Sequence, residues 1–263
     1  MRVQSFEFGD QAWVPEFYHS VLRDFMGALY KAFGHHKLWT QAILDLCENN
    51  PNKTIKDPCA GSGHVNLMIR TALPASFTGS FELSDLMIEK NIEFAKQINA
   101  LKDSGISYKL QPTDATKSTP EDHSPKLFIN SFHHFDHDQV GQILKHNAEN
   151  GNDILILEYC RKSPDSLIAM FFGPVLFLLF LPFIWNRKNR LPCVLFTYLL
   201  PLIPLMLLWD GIISCLRTYS AKDLHAILER ENIPHEPIRT SLKRSALYPS
   251  GVTSTSVRFK RPS

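Results

Sequence analysis

From residue 53 onward, short apolar runs alternate with longer stretches in which apolar residues recur every three to four positions. This pattern predicts strands alternating with amphipathic helices. Strands are expected at 54–57, 77–84, 106–110, 126–130 and 153–159. The last of these, DILILEY, is apolar at successive positions, which suits a strand covered on both faces. Helices are expected at 64–73, 86–101, 136–148 and 221–231. Ser220 caps the last of them, with Asp223 at its third position completing an acidic capping box. Two closing strands, 235–245 and 253–261, end the pattern. Ahead of it, Pro15 opens a helix through Phe17, Val21, Leu22, Phe25 and Leu29, and a second helix, 38–47, follows a break at Gly34. Strand–helix alternation at this spacing implies a parallel sheet with right-handed crossovers.

The alternation stops after the fifth strand. Residues 167–185 and 191–209 contain no charge, and Arg187, Lys188 and Arg190 lie in the short link between them. Each run is as long as the ~18–20 residues that cross a bilayer core. Trp185 and Trp209 stand at run ends, where interfacial aromatics gather. Two observations oppose a spanning hairpin. It would carry the basic link across the membrane, and Pro174, Pro182, Pro192, Pro201 and Pro204 divide the runs. A helical pair dipping into one leaflet, with its link at the headgroups, is the preferred reading. A spanning hairpin, and an apolar lid or dimer face, are the alternatives. The expected organisation is therefore a helical lead-in (1–50), an α/β domain in two pieces (51–160 and 220–263) and an apolar insertion (161–219).

Composition changes this picture little. Charged residues make up 21% and the net charge is +2, which gives no reason to expect a nucleic-acid partner. Five cysteines are widely spaced, without zinc-site spacing, so reduced thiols and no metal are expected. The N-terminus, MRVQSFEFGDQAW, has no apolar run of the kind a signal peptide needs. A membrane-associated protein with its α/β domain in the cytoplasm is the expectation.

The candidate chemistry sits at strand ends. Asp57-Pro58-Cys59-Ala60-Gly61-Ser62-Gly63 is an acid followed by a glycine turn, the arrangement that lets backbone approach a ligand. Asp85 follows the second strand and Asp114-Ala115 the third. Asn130-Ser131-Phe132-His133-His134-Phe135 follows the fourth, and Glu158 ends the fifth. The turn with its distal acids resembles the class I S-adenosylmethionine-dependent methyltransferases. That resemblance covers about residues 53–160 and 220–261. The blocks EFGDQAWVPEF, FINSFHHFD, YLLPLIPL and WDGIISCLRTYSAKDL also resemble a bacterial group within that family.

The resemblance implies a Rossmann-like α/β sheet with helices on both faces, S-adenosylmethionine as cofactor, and Asp57, Gly61, Gly63, Asp85, Asp114, Ala115 and Asn130 around it. A nicotinamide-dependent oxidoreductase is the nearest rival. Its third glycine would fall at Asn66, which fits poorly. The Asn/Asp-Pro-Pro-aromatic tetrad of base-modifying methyltransferases is absent, which argues against a nucleic-acid substrate. His134 and His133 are the candidate general bases, because imidazole titrates near neutrality. Glu158 is a candidate for orienting the substrate. The apolar insertion points to a hydrophobic or lipid-like small-molecule acceptor, methylated at oxygen. A non-catalytic, membrane-bound cofactor module is the competing class.

Overall fold

The computed structural model describes residues 2–3, 5–50, 53–117, 122–184 and 190–260. After a 3-10 turn at Phe8–Asp10 come α1 (Glu16–Phe33), α2 (His35–Leu38), α3 (Thr40–Glu48), β1 (Thr54–Asp57), α4 (His64–Ala72), β2 (Ser80–Leu83), α5 (Ile88–Asn99), β3 (Ile106–Tyr108) and β4 (Lys126–Ile129). A 3-10 turn at Phe132–His134 precedes α6 (His137–Glu149) and β5 (Ile154–Glu158). Then follow α7 (Pro164–Phe171), α8 (Gly173–Ile184), α9 (Arg190–Val194), a π-helical turn at Leu195–Leu199, α10 (Leu202–Arg217), α11 (Ala221–Arg230), β6 (Arg239–Ser245) and β7 (Tyr248–Val257).

Contacts divide the chain into two units. One holds Met1–Gly34, Cys160–Thr218 and Arg244–Gly251, and the other His35–Tyr159, Tyr219–Lys243 and Val252–Ser263. This division differs from the one expected from sequence. The lead-in splits at Gly34, whose φ of 67° ends α1 in the left-handed conformation that glycine tolerates. Helix α1 then goes with the apolar insertion, and α2 and α3 with the sheet.

In the sheet unit the strand order is β3-β2-β1-β4-β5-β7-β6. The first five strands in this order pair in parallel, whereas β7 runs antiparallel to β5, with Ile154 opposite Val257 and Glu158 opposite Thr253. Strand β5 is buried along its whole length. Ile154 and Ile156 join a cluster with Val140, Ile143 and Leu144 of α6 and Leu224, Ile227 and Leu228 of α11. Leu155 projects to the opposite face of the pleat, towards Ala42 and Leu46 of α3. Both faces of β5 are therefore covered by helices, as its unbroken apolar sequence requires. Ser220 and Asp223 form the expected capping box at the start of α11.

The closing strands begin later and earlier, respectively, than the pattern predicts. Strand β6 starts only at Arg239, because 235 forms an isolated bridge with 259. Strand β7 begins at Tyr248, upstream of the expected 253. Pro249 and Gly251, which read as strand breakers, lie in the part of β7 beyond its register with β5, where no β5 carbonyl awaits an N–H.

In the other unit α1 buries Tyr18, Val21 and Phe25 against Phe177 and Leu181 of α8, Cys193 of α9 and Ile203 and Leu207 of α10. Helices α7 and α8 together form an apolar helical stretch, Pro164–Ile184, of 21 residues. The second run is broken: Arg190–Leu199 and Leu202–Arg217 meet at a bend of 80°, around Pro201. Trp185, Arg187 and Lys188 of the expected basic link lie outside the described residues.

Asp210 and Arg217, both on α10, reach back to the N-terminal segment. Asp210 accepts from the Phe8 and Gly9 N–H groups at 2.6 and 2.9 Å and from the Tyr18 hydroxyl at 3.0 Å. Arg217 Nη1 donates to Glu7 and Asp10 at 3.2 and 2.9 Å, and the Ser214 hydroxyl donates to Glu7 at 3.0 Å. The EFGD and WDGIISCLR blocks are thus two halves of one buried polar anchor. Breaking one such pair strands the other charge, so the anchor fixes α10 to the N-terminal segment.

Candidate functional site

The sheet unit assembles its polar groups at the carboxyl ends of β1, β2, β4 and β5. Asp57, at the end of β1, is fully buried. Its Oδ1 accepts from the Cys59 N–H at 3.0 Å and its Oδ2 from Asn66 Nδ2 at 2.8 Å. Burial pushes this carboxyl up to about 7, against the two hydrogen bonds that favour its charge. Asn66, which sits where a dinucleotide fold needs its third glycine, is here the second donor to Asp57. The sequence offered no signal for that role, because a helix-borne amide has many possible partners.

The turn after β1 is held open by its neighbours. Gly61 has a φ of 54° and Gly63 a φ of 69°. The Gly61 N–H donates to Asp85 Oδ2 at 2.8 Å, the Met87 N–H donates to Asp85 Oδ1 at 2.7 Å, and the Tyr108 hydroxyl donates to the Gly61 carbonyl at 2.5 Å. Asp85 thus ties the glycine turn to the loop after β2, and burial raises its carboxyl above the usual range. Tyr108 was not singled out by the sequence; it is an alternate position of β3 that also reads as core. A Cβ at Gly61 would meet nothing within 4 Å, so the backbone here borders open space. A Cβ at Gly63 would lie 2.5 Å from Ile98 Cδ1 and 2.9 Å from Leu83 Cδ1, so this glycine lets α4 close onto the sheet.

Asp114 stands after β3 and organises its own turn. Its Oδ1 accepts from the Thr116 N–H and hydroxyl at 3.0 and 2.6 Å, bonds that hold its carboxyl below the usual range. Ala115 packs against the core cluster beside Cys59. Pro58, Ser84, Asp114, Ala115 and Phe128 line a cleft whose enclosed part is about 60 Å³. Asn130 has a φ of 49° at the end of β4, and its Oδ1 accepts from the Tyr159 N–H at 2.8 Å. Its amide oxygen faces β5 and bridges the ends of two neighbouring strands.

The turn Phe132–His134 follows. Phe132 is buried against Phe128, Phe135 and Tyr219, and the Tyr219 hydroxyl donates to the Phe135 carbonyl at 2.9 Å. This aromatic anchor fixes the two imidazoles. His133 is buried, with Nδ1 2.9 Å from Glu158 Oε2. His134 is exposed, and its ring lies over that of His133 with centroids 4.3 Å apart. Burial pushes the Glu158 carboxyl up to about 8, although the nearby His134 and the backbone N–H groups of Phe132 and His133 favour its charge. His133, His134 and Glu158 are thus one cluster. Asp57, Gly61 and Asp85 form another, and Asp114 and Asn130 each serve a local turn or strand end.

The strand order, with an antiparallel seventh strand inserted between the fifth and sixth, is that of the class I methyltransferase fold. Solved structures agree. The plantazolicin methyltransferase BpumL in complex with SAH superposes with a TM-score of 0.55 at 12% identity, over 96% of this chain and 93% of that one. Magnesium protoporphyrin IX methyltransferase (ChlM) from Synechocystis PCC 6803 with bound SAH gives 0.53 at 12%, over 95% and 100%. The pyocyanin biosynthetic protein PhzM gives 0.54 at 13%, over 95% of this chain, which spans 63% of PhzM's length. At these identities the likeness is one of fold. No family model matches the chain, and no curated protein matches it in sequence.

Proposed function

We propose that this protein is an S-adenosylmethionine-dependent methyltransferase acting on a hydrophobic, lipid-like hydroxyl compound at a membrane surface. The observation that carries the cofactor reading is the open backbone at Gly61, braced by Asp85 and Tyr108 at the carboxyl end of β1. This is where the fold's glycine turn receives a ligand, and two of the neighbours described above hold SAH. Asp57 and Asn66 shape the turn, Asp85 is placed to meet ribose hydroxyls, and Asp114-Ala115 to border the adenine. Asn130 holds the floor between β4 and β5.

Bound S-adenosylmethionine supplies an electrophilic methyl group on a positively charged sulfur. An acceptor hydroxyl that received this methyl group would have to give up its proton. His134, exposed on a turn fixed by Phe132, takes that proton. His133 and Glu158 position it from below through the stacked ring and the buried hydrogen bond. The acceptor class is read from the other unit. Helix α8 buries Phe177 and Leu181 yet leaves Leu179 at 63% and Phe183 at 86% exposure, so it is apolar on both faces. A helix apolar all round is covered by something other than water. Lipid coverage favours lipid-soluble acceptors. The 80° bend in the second run favours insertion into one leaflet over a straight crossing.

The test is calorimetry with S-adenosylhomocysteine, followed by label transfer from methyl-labelled S-adenosylmethionine into a total lipid extract. Wild-type protein should bind the product analogue and label a solvent-extractable compound. The His133→Ala, His134→Ala double variant should bind equally but transfer about 10²–10⁴-fold more slowly. No binding by wild-type protein overturns the cofactor reading. Binding without label in lipid overturns the acceptor class.

A further inference from the structure

Residue spacing along the chain predicts no metal site, but the tertiary structure gathers three ligand side chains away from the His133–His134–Glu158 cluster. His225 and Glu229 lie one turn apart on α11, so they project from the same helix face. His235 follows the helix across a short turn. Donor atoms of these three side chains all lie within 4.8 Å of one another. We propose that His225, Glu229 and His235 form a binding site for a divalent transition-metal ion of the zinc type.

Three observations carry this beyond a chance cluster. First, the two imidazoles meet edge to face, with centroids 5.2 Å apart and planes at 84°. Two imidazoles bound through Nε2 to one tetrahedral zinc ion, at Zn–N of about 2.0–2.1 Å, hold their centroids about 5 Å apart. The observed spacing is already that of a liganded pair. Second, His235 Nδ1 lies 3.0 Å from the Ile233 carbonyl oxygen. A carbonyl only accepts, so Nδ1 carries the proton and Nε2 presents its lone pair. This backbone hydrogen bond is the one that orients metal-bound histidines. Third, the backbone carrying His235 is fixed: His235 bridges Phe259, the Glu236 N–H donates to the Arg258 carbonyl at 2.9 Å, and the Ile233 N–H donates to the Leu228 carbonyl at 2.9 Å.

The donor set selects the ion. Two neutral imidazoles and one carboxylate suit zinc or its neighbours, whereas magnesium and calcium prefer oxygen alone. Adjacent ligand atoms around tetrahedral zinc lie about 3.3 Å apart. His225 and Glu229 are exposed and can close the remaining gap by side-chain rotation. The fourth position is left to water, in a groove also lined by Lys222 and Lys260. A bound ion would clip α11 to the segment entering β6, adding to the core packing that Leu228, Ile233 and Ile238 already share.

The experiment uses the full chain, freed of metal by chelation and kept in detergent, with zinc ions alone as the probe. Calorimetry should give one high-affinity zinc per chain, and zinc should raise the melting temperature. The His225→Ala, His235→Ala double variant should bind at least about 100-fold more weakly and lose the zinc-dependent shift. Its metal-free melting temperature should lie within a few degrees of that of the metal-free wild type, because His225 is exposed and His235 only half-buried. Absence of zinc binding by the wild type at about 0.1 mM, or undiminished zinc binding by the double variant, would overturn the proposal.

Discussion

Glu158 and Asp57 are the two acids whose environments depart furthest from water among the site residues, and both are shifted upward by burial, to about 8 and about 7. An acid whose folded-state value lies above its unfolded value binds protons more tightly in the folded state. Its stabilising contribution is complete below the unfolded value, near pH 4, and is lost as pH rises through the folded value. Stability should therefore fall between about pH 5 and pH 8. Glu158→Gln removes one of these protons while keeping a polar partner for His133. Denaturant midpoints of this variant, measured across that range, should fall less steeply than those of the wild type. Parallel curves would show that Glu158 does not titrate in this window. At the same scale, Asn66 and Tyr108 show how much of a site rests on residues without a motif. Both were ordinary sequence positions until folding brought them to Asp57 and Gly61.

Among the elements, the turn from β1 into α4 separates two glycine requirements that look alike in sequence. Both glycines are left-handed, a conformation that costs an L-residue about 1–2 kcal/mol. Only Gly63 is also crowded, by Ile98 and Leu83. Gly63→Ala should thus destabilise the protein by about 2–4 kcal/mol, through backbone strain and overpacking together. Gly61→Ala should cost only the backbone term, but its methyl group would enter the space where the proposed cofactor approaches. Thermal unfolding and S-adenosylhomocysteine titration separate the two: large stability loss at 63, affinity loss with modest destabilisation at 61. The reverse order would contradict the assigned roles. The bent second apolar run makes a parallel point. Its length alone allowed a crossing helix, but Pro201 and the 80° turn leave α10 committed through Asp210 and Arg217 to the N-terminal segment.

For the whole molecule, the apolar unit decides solution behaviour. Phe171, Phe172, Leu179, Phe183, Leu191 and Leu199 are each at least 60% exposed. Large apolar side chains exposed to this degree are usually covered by lipid or by a partner surface. Lipid coverage predicts sedimentation with membranes and release by detergent. High salt alone should release little, since Arg187, Lys188 and Arg190 are the only cations of the link and apolar burial dominates. Wild-type protein that stays monodisperse without detergent would exclude lipid coverage. A detergent-free dimer would assign the surface to a second copy.

What the sequence determined by itself is the order and kind of elements, because hydrophobic periodicity is a local property set by strand and helix geometry. The period-two and continuous runs placed β1 to β5, the capping box placed α11, and the glycine turn with Asp85 marked the carboxyl end of the sheet. The charge-free runs marked the apolar insertion. The tertiary structure alone decided which distant groups share a partner. It joined α1 to the insertion rather than to the sheet, spent Asp210 and Arg217 on residues 7–10 and Tyr18, set His133 on Glu158, and brought His225 and Glu229 to His235. Hydrogen bonds and ligand geometry depend on ångström-scale positions of residues more than 200 apart in the chain, and spacing along a sequence carries no such information.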